Sequence, residues 1–266
     1  LSDGKNVVVI GGGFIGLEVA ASARQRGCNV TVLEIADRLM GRGVPPAVSD
    51  YFLDLHRSNG IDVRLNTGVE KIEGDVHATG VVTSAGESLP ADLVVIGVGI
   101  IPESGLAEQA GLKVDNGIVV DEFCRTSDAS IFAAGDVTNH YNSFVGRHIR
   151  LEAWQCAQNM AIAAAKIMCG DDTAYAEVPW MWSDQFDTNL QVAGMPESWD
   201  TIVARGEATS GNFIGFVLQE GKISGAISVN QPRDLRLARR MMDAGKSYTA
   251  EELADESISM RELSKR

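Results

Sequence analysis

VVVIGGGFIGLEVA, from Val7 to Ala20, decides how the rest of the chain is read. Val7 to Ile10 is an unbroken apolar run, the pattern of a strand buried on both faces. Gly11, Gly13 and Gly16 follow at the G-x-G-x-x-G spacing. In a strand-to-helix crossing of this kind the first glycine permits the tight turn. The second lets a pyrophosphate approach the backbone, and the third lets the helix pack on the strand. The helix that opens here would aim its free N–H groups and positive dipole end at the phosphates.

A lone glycine triplet is weak, so its surroundings matter. A helix is expected from Phe14 to Gln25, with Gly27 as its stop. A second β-branched run, Asn29 to Leu33, ends in Glu34, 18 positions after Gly16. A dinucleotide site places an acid there, against the adenosine ribose hydroxyls. A carboxylate at that point repels a 2′-phosphate, so NADH is expected over NADPH. The alternative, a glycine turn used only for packing, leaves strand, helix, second strand and terminal acid unexplained.

At 266 residues the chain can hold one large or two ordinary domains. A net charge of −13 argues against nucleic acid or an anionic membrane as the main partner. Cys28, Cys124, Cys156 and Cys169 form no C-x-x-C, so neither a dithiol centre nor a zinc site is expected. Reduced thiols in a cytoplasmic protein are the simpler reading. His56, His77, His140 and His148 show no metal spacing and receive no role. No stretch is long and apolar enough to span a membrane, and no signal peptide is visible. The first residue is Leu1 and a strand begins almost at once, so a longer parent chain is expected.

Residues 1–116 read as one α/β unit. A helix over Ala47–Asn59 would place Val48, Phe52 and Leu55 on one face. Strands follow at Ile61–Asn66, Val69–Ile72 and Val76–Ser84, the last two as an antiparallel meander. Leu93 to Gly97 reads as another buried run, ending in a glycine loop, Gly97-Val98-Gly99, where ligands bind in parallel sheets. Residues 117–171 change character. Short strands at Ile118–Asp121 and Ile131–Ala133 precede Ala134-Gly135-Asp136 and a long helical segment, Leu151–Cys169. From 172 onward the pattern is α+β. Strands are expected at Leu190–Ala193, Ile202–Arg205, Phe213–Gln219 and Ile223–Val229, then a helix from Pro232 to Ala244 and a charged, weakly helical tail.

Three motifs in order now carry a family signature: Val7–Ala20, Ile131–Asp136, and Pro179-Trp180-Met181-Trp182-Ser183-Asp184-Gln185. With them the chain resembles the FAD-dependent, NADH-using ferredoxin reductases of bacterial oxygenase and P450 systems. The resemblance covers nearly the whole chain, and its Trp-Ser-Asp-Gln segment is the most specific part. It implies a Rossmann-like NAD domain with an antiparallel meander at 1–116. The C-terminal half of an FAD domain would occupy 117–171, and a small α+β C-terminal domain 172–266. The family also carries an upstream G-x-G-x-x-G for FAD. This sequence has one triplet, so the N-terminal half of the FAD domain is expected to be absent from it. Glu103 and Met181 are smaller departures from the family pattern.

The resemblance implies NAD contacts from Gly11, Gly13, Phe14, Ile15, Gly16, Glu18, Glu34 and Gly99. Glu18 would lie near the nicotinamide amide. FAD contacts would come from Asp136, Glu152, Trp154 and Trp182. Asp136 also reads as a helix N-cap, and either tryptophan as plain core. Hydride would pass directly from NADH to FAD, so no catalytic acid–base triad is expected, and no metal. Single electrons would then go to an iron–sulfur ferredoxin. The rival enzyme is a rubredoxin or nitrite-reductase-type NADH reductase; the rival from another class is a silent NAD-binding fragment. Arg233, Arg236 and Arg240 form one stripe of the Pro232 helix, either a ferredoxin-steering face or a solvated one.

Overall fold

A computed structural model describes residues 3–196 and 200–266. The chain divides into two compact units. The first comprises Leu1–Gly99, Ser183–Leu190 and Glu207–Phe213. The second comprises Ile100–Trp182, Gln191–Gly206 and Ile214–Arg266.

In the first unit, strand β1 (Asn6–Ile10) starts one residue before the expected run and leads into helix α1 (Phe14–Gln25), which has its predicted bounds. Leu17, Ala20, Ala21 and Ala23 are its buried face, and Gly27, at φ +82°, follows its end. Strand β2 (Asn29–Leu33), helix α2 (Pro46–Ser58) and strand β3 (Asp62–Arg64) come next. The meander follows as β4 (Val69–Glu73), β5 (Gly80–Thr83) and β6 (Ser88–Pro90), before β7 (Leu93–Ile96). The parallel sheet runs β3-β2-β1-β7, and the antiparallel meander forms its own sheet, β4-β5-β6. Val8 and Leu33 from the parallel sheet meet Val81, Leu89 and Ala91 of the meander in one core.

Two expectations fail here for identifiable reasons. The β7 run is not buried: Leu93 is 40% and Ile96 62% exposed. Strand order makes β7 an edge, so an apolar run alone misreports its burial. On α2 the buried stripe is Val48, Phe52 and His56; Leu55 is only half-buried.

In the second unit, helix α3 (Gly105–Gln109) precedes a three-stranded sheet, β10-β9-β8, of β8 (Ile118–Val120), β9 (Thr138–Asn142) and β10 (Arg147–Ile149). The predicted strand at Ile131–Ala133 does not form. Only a bridge from Arg125 to Phe132 is present, and Phe132, Ala133 and Ala134 serve instead as core packing. Strands β9 and β10 escape sequence reading because the buried alternation in β9 is Thr138, His140 and Asn142. Side-chain bonds from Thr138 Oγ1 to Gly135 O (2.7 Å) and from Asn142 Nδ2 to Glu177 O (3.0 Å) satisfy two of these polar groups.

Helix α4 (Trp154–Met168) packs Met160 and Ala164 against Val120, Cys124 and Tyr175. A five-stranded sheet, β11-β12-β15-β14-β13, follows, built from β11 (Trp180–Gln185), β12 (Thr188–Gly194), β13 (Thr201–Arg205), β14 (Phe213–Gln219) and β15 (Lys222–Val229). Helix α5 (Pro232–Asp243) buries Leu235, Ala238, Met241 and Met242 in that core. The tail forms two short helices, α6 (Ala250–Ala254) and α7 (Met260–Leu263). Each starts with a complete capping box, Thr249 with Glu252 and Ser259 with Glu262.

Candidate functional site

The crossing from β1 to α1 brings three backbones too close for side chains. Gly11 N donates to Leu33 O at 2.8 Å, and Gly97 N to Ile10 O at 2.7 Å. Gly11 has φ +106°, and a Cβ there would overlap the Gly97 carbonyl. A Cβ on Gly16 would overlap the Gly11 carbonyl. Both glycines are therefore spent on packing. Gly13 differs: a Cβ there would meet nothing within 4 Å among the described residues. It is the N-cap of α1, makes no side-chain cap bond, and the first turn carries no acid. The helix start thus faces open space with uncapped amides, the arrangement that suits a phosphate.

Glu34 closes one side of this space. Its Oε2 accepts from Gly12 N at 2.6 Å and its Oε1 from Ala36 N at 2.8 Å. A carboxylate has about four acceptor sites, so about two are left to accept further hydrogen bonds. Gly12, which the spacing argument passed over, is needed here: a Cβ on it would stand 2.6 Å from Leu39 Cδ2 and 3.1 Å from Glu34 Oε2. Ile15 is 63% exposed on the first turn. Phe14 is half-buried, with its ring so close to Gly43 that a Cβ there would be 2.8 Å away. Gly99 has φ +116° and open space where a Cβ would stand.

One turn further along α1, Glu18 is held by side chains. Ser183 Oγ lies 2.6 Å from Glu18 Oε1, and Gln185 Nε2 lies 3.0 Å from Ser183 Oγ. Gln185 Oε1 is 2.8 Å from His56 Nε2, and Gln185 Nε2 also approaches Met40 Sδ at 3.8 Å. Ser183, Gln185 and His56 are fully buried. Burial pushes His56 below its ordinary value, toward the neutral ring, against the opposing effect of its bond to Gln185. Sequence reading gave His56 no role. The available signal was a histidine spaced i+4 and i+8 from Phe52 and Val48 on an apolar stripe.

The second unit carries the other candidates. Trp154, the first residue of α4, is 65% exposed, which rules out plain core packing for it. Its ring meets Trp182 edge-on at 6.1 Å, and Trp182 lies 5.4 Å from Trp180. The Arg239 guanidinium stacks 4.6 Å over Trp180, a contact the arginine-stripe reading missed. Glu152 pairs with Arg150 just before α4. Asp136 caps no helix. It lies exposed in a turn closed by Thr138 N to Gly135 O at 2.9 Å, because the chain there enters β9. Burial pushes the Cys124 thiol up to about 11, so it is not a nucleophile near neutral pH.

Residues 1–161 match the family described as pyridine nucleotide-disulphide oxidoreductase, and residues 180–264 match a reductase C-terminal domain. The chain belongs to the pyridine nucleotide-disulphide oxidoreductase family. It is similar to the ferredoxin–NAD(+) reductase component of an anthranilate 1,2-dioxygenase system from Burkholderia cepacia. That likeness is 46% identity over 97% of this chain and 64% of that protein. Among solved structures, the ferredoxin reductase for the CYP199A2 system of Rhodopseudomonas palustris is 41% identical with a TM-score of 0.92. The match covers 98% of this chain and 65% of that one. The reductase in a covalent putidaredoxin reductase–putidaredoxin complex is 37% identical with a TM-score of 0.94, over 98% and 64%. The chain thus spans a little under two thirds of the length of these relatives. Every candidate from Gly11 to Trp154 falls in the oxidoreductase family match, and Trp182 in the reductase C-terminal one.

Proposed function

We propose that this oxidoreductase chain is the NADH-binding and C-terminal part of an FAD-dependent ferredoxin reductase serving an oxygenase or P450 system in the cytoplasm. Residues 1–116 would be the NAD domain, 117–171 the returning half of the FAD domain, and 172–266 the C-terminal domain. The observation that carries the reading is the uncapped start of α1 at Gly13, flanked by the Glu34 carboxylate. The backbone amides would hold the diphosphate of NADH, and Glu34 would take the adenosine ribose and reject a 2′-phosphate. Glu18 and Gly99 would line the nicotinamide end.

Asp136, Glu152, Trp154 and Trp182 would contribute to an FAD site. The exposed face of Trp154 is the kind of flat apolar surface an isoalloxazine ring stacks on. A bound flavin supplies two-electron acceptance from NADH and one-electron release to an iron–sulfur ferredoxin. No helix among the described residues is long and apolar enough to cross a membrane. Arg233, Arg236 and Arg240 are exposed on α5, where they would steer an acidic ferredoxin.

Titration of the chain with NADH and NADPH, followed by ligand fluorescence and melting temperature, tests the central claim. NADH binding with at least a tenfold preference over NADPH is the expected result, since a charged misfit costs at least ~1.4 kcal/mol. NADH that changes neither signal would overturn the reading.

A further inference from the structure

The buried polar chain behind Glu18 has a direction. His56 Nδ1 is buried and has no hydrogen-bond partner among the described residues. A buried lone pair without a partner is tolerated better than a buried N–H without one, so the ring proton belongs on Nε2. Nε2–H then donates to Gln185 Oε1 at 2.8 Å. That fixes the amide of Gln185, whose N–H donates to Ser183 Oγ at 3.0 Å. The one hydroxyl proton of Ser183 is left to donate to Glu18 Oε1 at 2.6 Å. Each group in the series gives a proton toward the next, and the series ends on a carboxylate oxygen.

Among the four, Glu18 alone reaches solvent; the others are fully buried. A purely structural fill of that space would be better served by apolar side chains, since buried polar networks are costly unless every member is paired. Glu18 Oε2 has no partner among the described residues, so the anchored carboxylate keeps an acceptor to offer.

We propose that His56, Gln185 and Ser183 are positioning residues that hold Glu18 as a fixed hydrogen-bond acceptor for the amide N–H of the nicotinamide carboxamide. The inference rests on the reading above that puts Glu18 at the nicotinamide end. It makes the discrimination of a carboxamide from a methyl ketone depend on a residue, His56, that would touch no ligand.

The test is a calorimetric titration of the chain with NADH and with reduced 3-acetylpyridine adenine dinucleotide, in which a methyl group replaces the amide nitrogen. Ser183→Ala should raise the Kd for NADH about tenfold, as loss of a bond to a charged acceptor does, and leave the Kd for the acetyl analogue within about twofold. His56→Phe should shift the two ligands in the same unequal way, by less. A melting curve checks each variant. Ser183→Cys, which keeps the shape with a weaker donor, takes the place of Ser183→Ala if that variant does not fold. Equal weakening of both ligands, or no change for NADH, overturns the proposal. Glu18→Ala separates the two failures. If it removes the preference for NADH over the analogue while Ser183→Ala does not, the positioning chain is wrong and the placement of Glu18 stands. If Glu18→Ala leaves that preference intact, the placement is wrong and the proposal falls with it.

Discussion

Two consecutive turns of α1 are built by opposite means. At the first turn the candidate site is made by leaving side chains out. Gly11 and Gly16 let three backbones touch, and Gly13 leaves the amides bare. At the next turn it is made by stacking polar side chains behind one carboxylate, from Glu18 through Ser183 and Gln185 to His56. The first device is rigid because backbone sterics are unforgiving. The second is rigid only while each of its bonds is made. The two turns should therefore break differently, and the loss of fold stability ranks how.

The largest loss should follow Gly16→Val. Its Cβ would overlap the Gly11 carbonyl, and neither backbone can yield without parting α1 from β1. Overpacking of this kind costs about 3 kcal/mol or more, read as a fall in the urea midpoint together with loss of NADH binding. A variant with an unchanged midpoint would mean that the crossing is looser than its geometry. Glu34→Ala comes next. It strips Gly12 N and Ala36 N of their acceptor, at about 1–2 kcal/mol, and should erase the preference for NADH over NADPH. Retained preference would move the ribose away from Glu34.

The same contrast explains what could be read in advance. The first turn was legible because all its parts are local: an apolar run, a glycine spacing, a helix and an acid within Val7–Glu34. α1 and β2 accordingly form with their predicted bounds. The second turn joins residues 18, 56, 183 and 185, and no periodicity links positions 165 apart. The motif Trp182-Ser183-Asp184-Gln185 stood out in the sequence, yet its serine and glutamine gain meaning only through His56. Strand β9 was missed for a related reason. Apolar runs mark strands whose buried side is greasy, and its buried side is threonine, histidine and asparagine. Edge position was invisible too, so β7 looked like core and is partly bare.

A smaller effect separates the turns by pH. Burial lowers His56 in the folded chain relative to its ordinary value near 6.5. Below about 6.5 the unfolded chain then binds a proton that the folded chain refuses, so stability falls as pH drops through that range. The contribution is fully present above 6.5 and shrinks on the way down to the folded value. His140 has the same sign, lowered to about 4 by burial and by nearby His148. The difference between wild type and His56→Phe therefore isolates the second turn. The variant should lose less stability than wild type between pH 7 and pH 5, as estimated from the sign of this linkage. A slope identical to that of wild type would place the charged ring in the folded chain and dissolve the directed series of donors.

The smallest change in stability should come from Gly13→Ala, and it sharpens the comparison most. Gly13 has φ −82°, a conformation any residue adopts, and a Cβ there meets no atom of the described residues within 4 Å. The fold should stay within about 1 kcal/mol of wild type, on the stable side if chain entropy dominates. The methyl group would nevertheless stand in the open space before the bare amides. NADH affinity should fall by about tenfold or more, as expected when a charged group loses a backbone hydrogen bond. Gly16 and Gly13 would then divide the motif cleanly: one glycine required by the protein, the other by what it binds. If Gly13→Ala binds NADH as wild type does, the space before α1 is not where the diphosphate lies, and the glycine triplet serves packing alone.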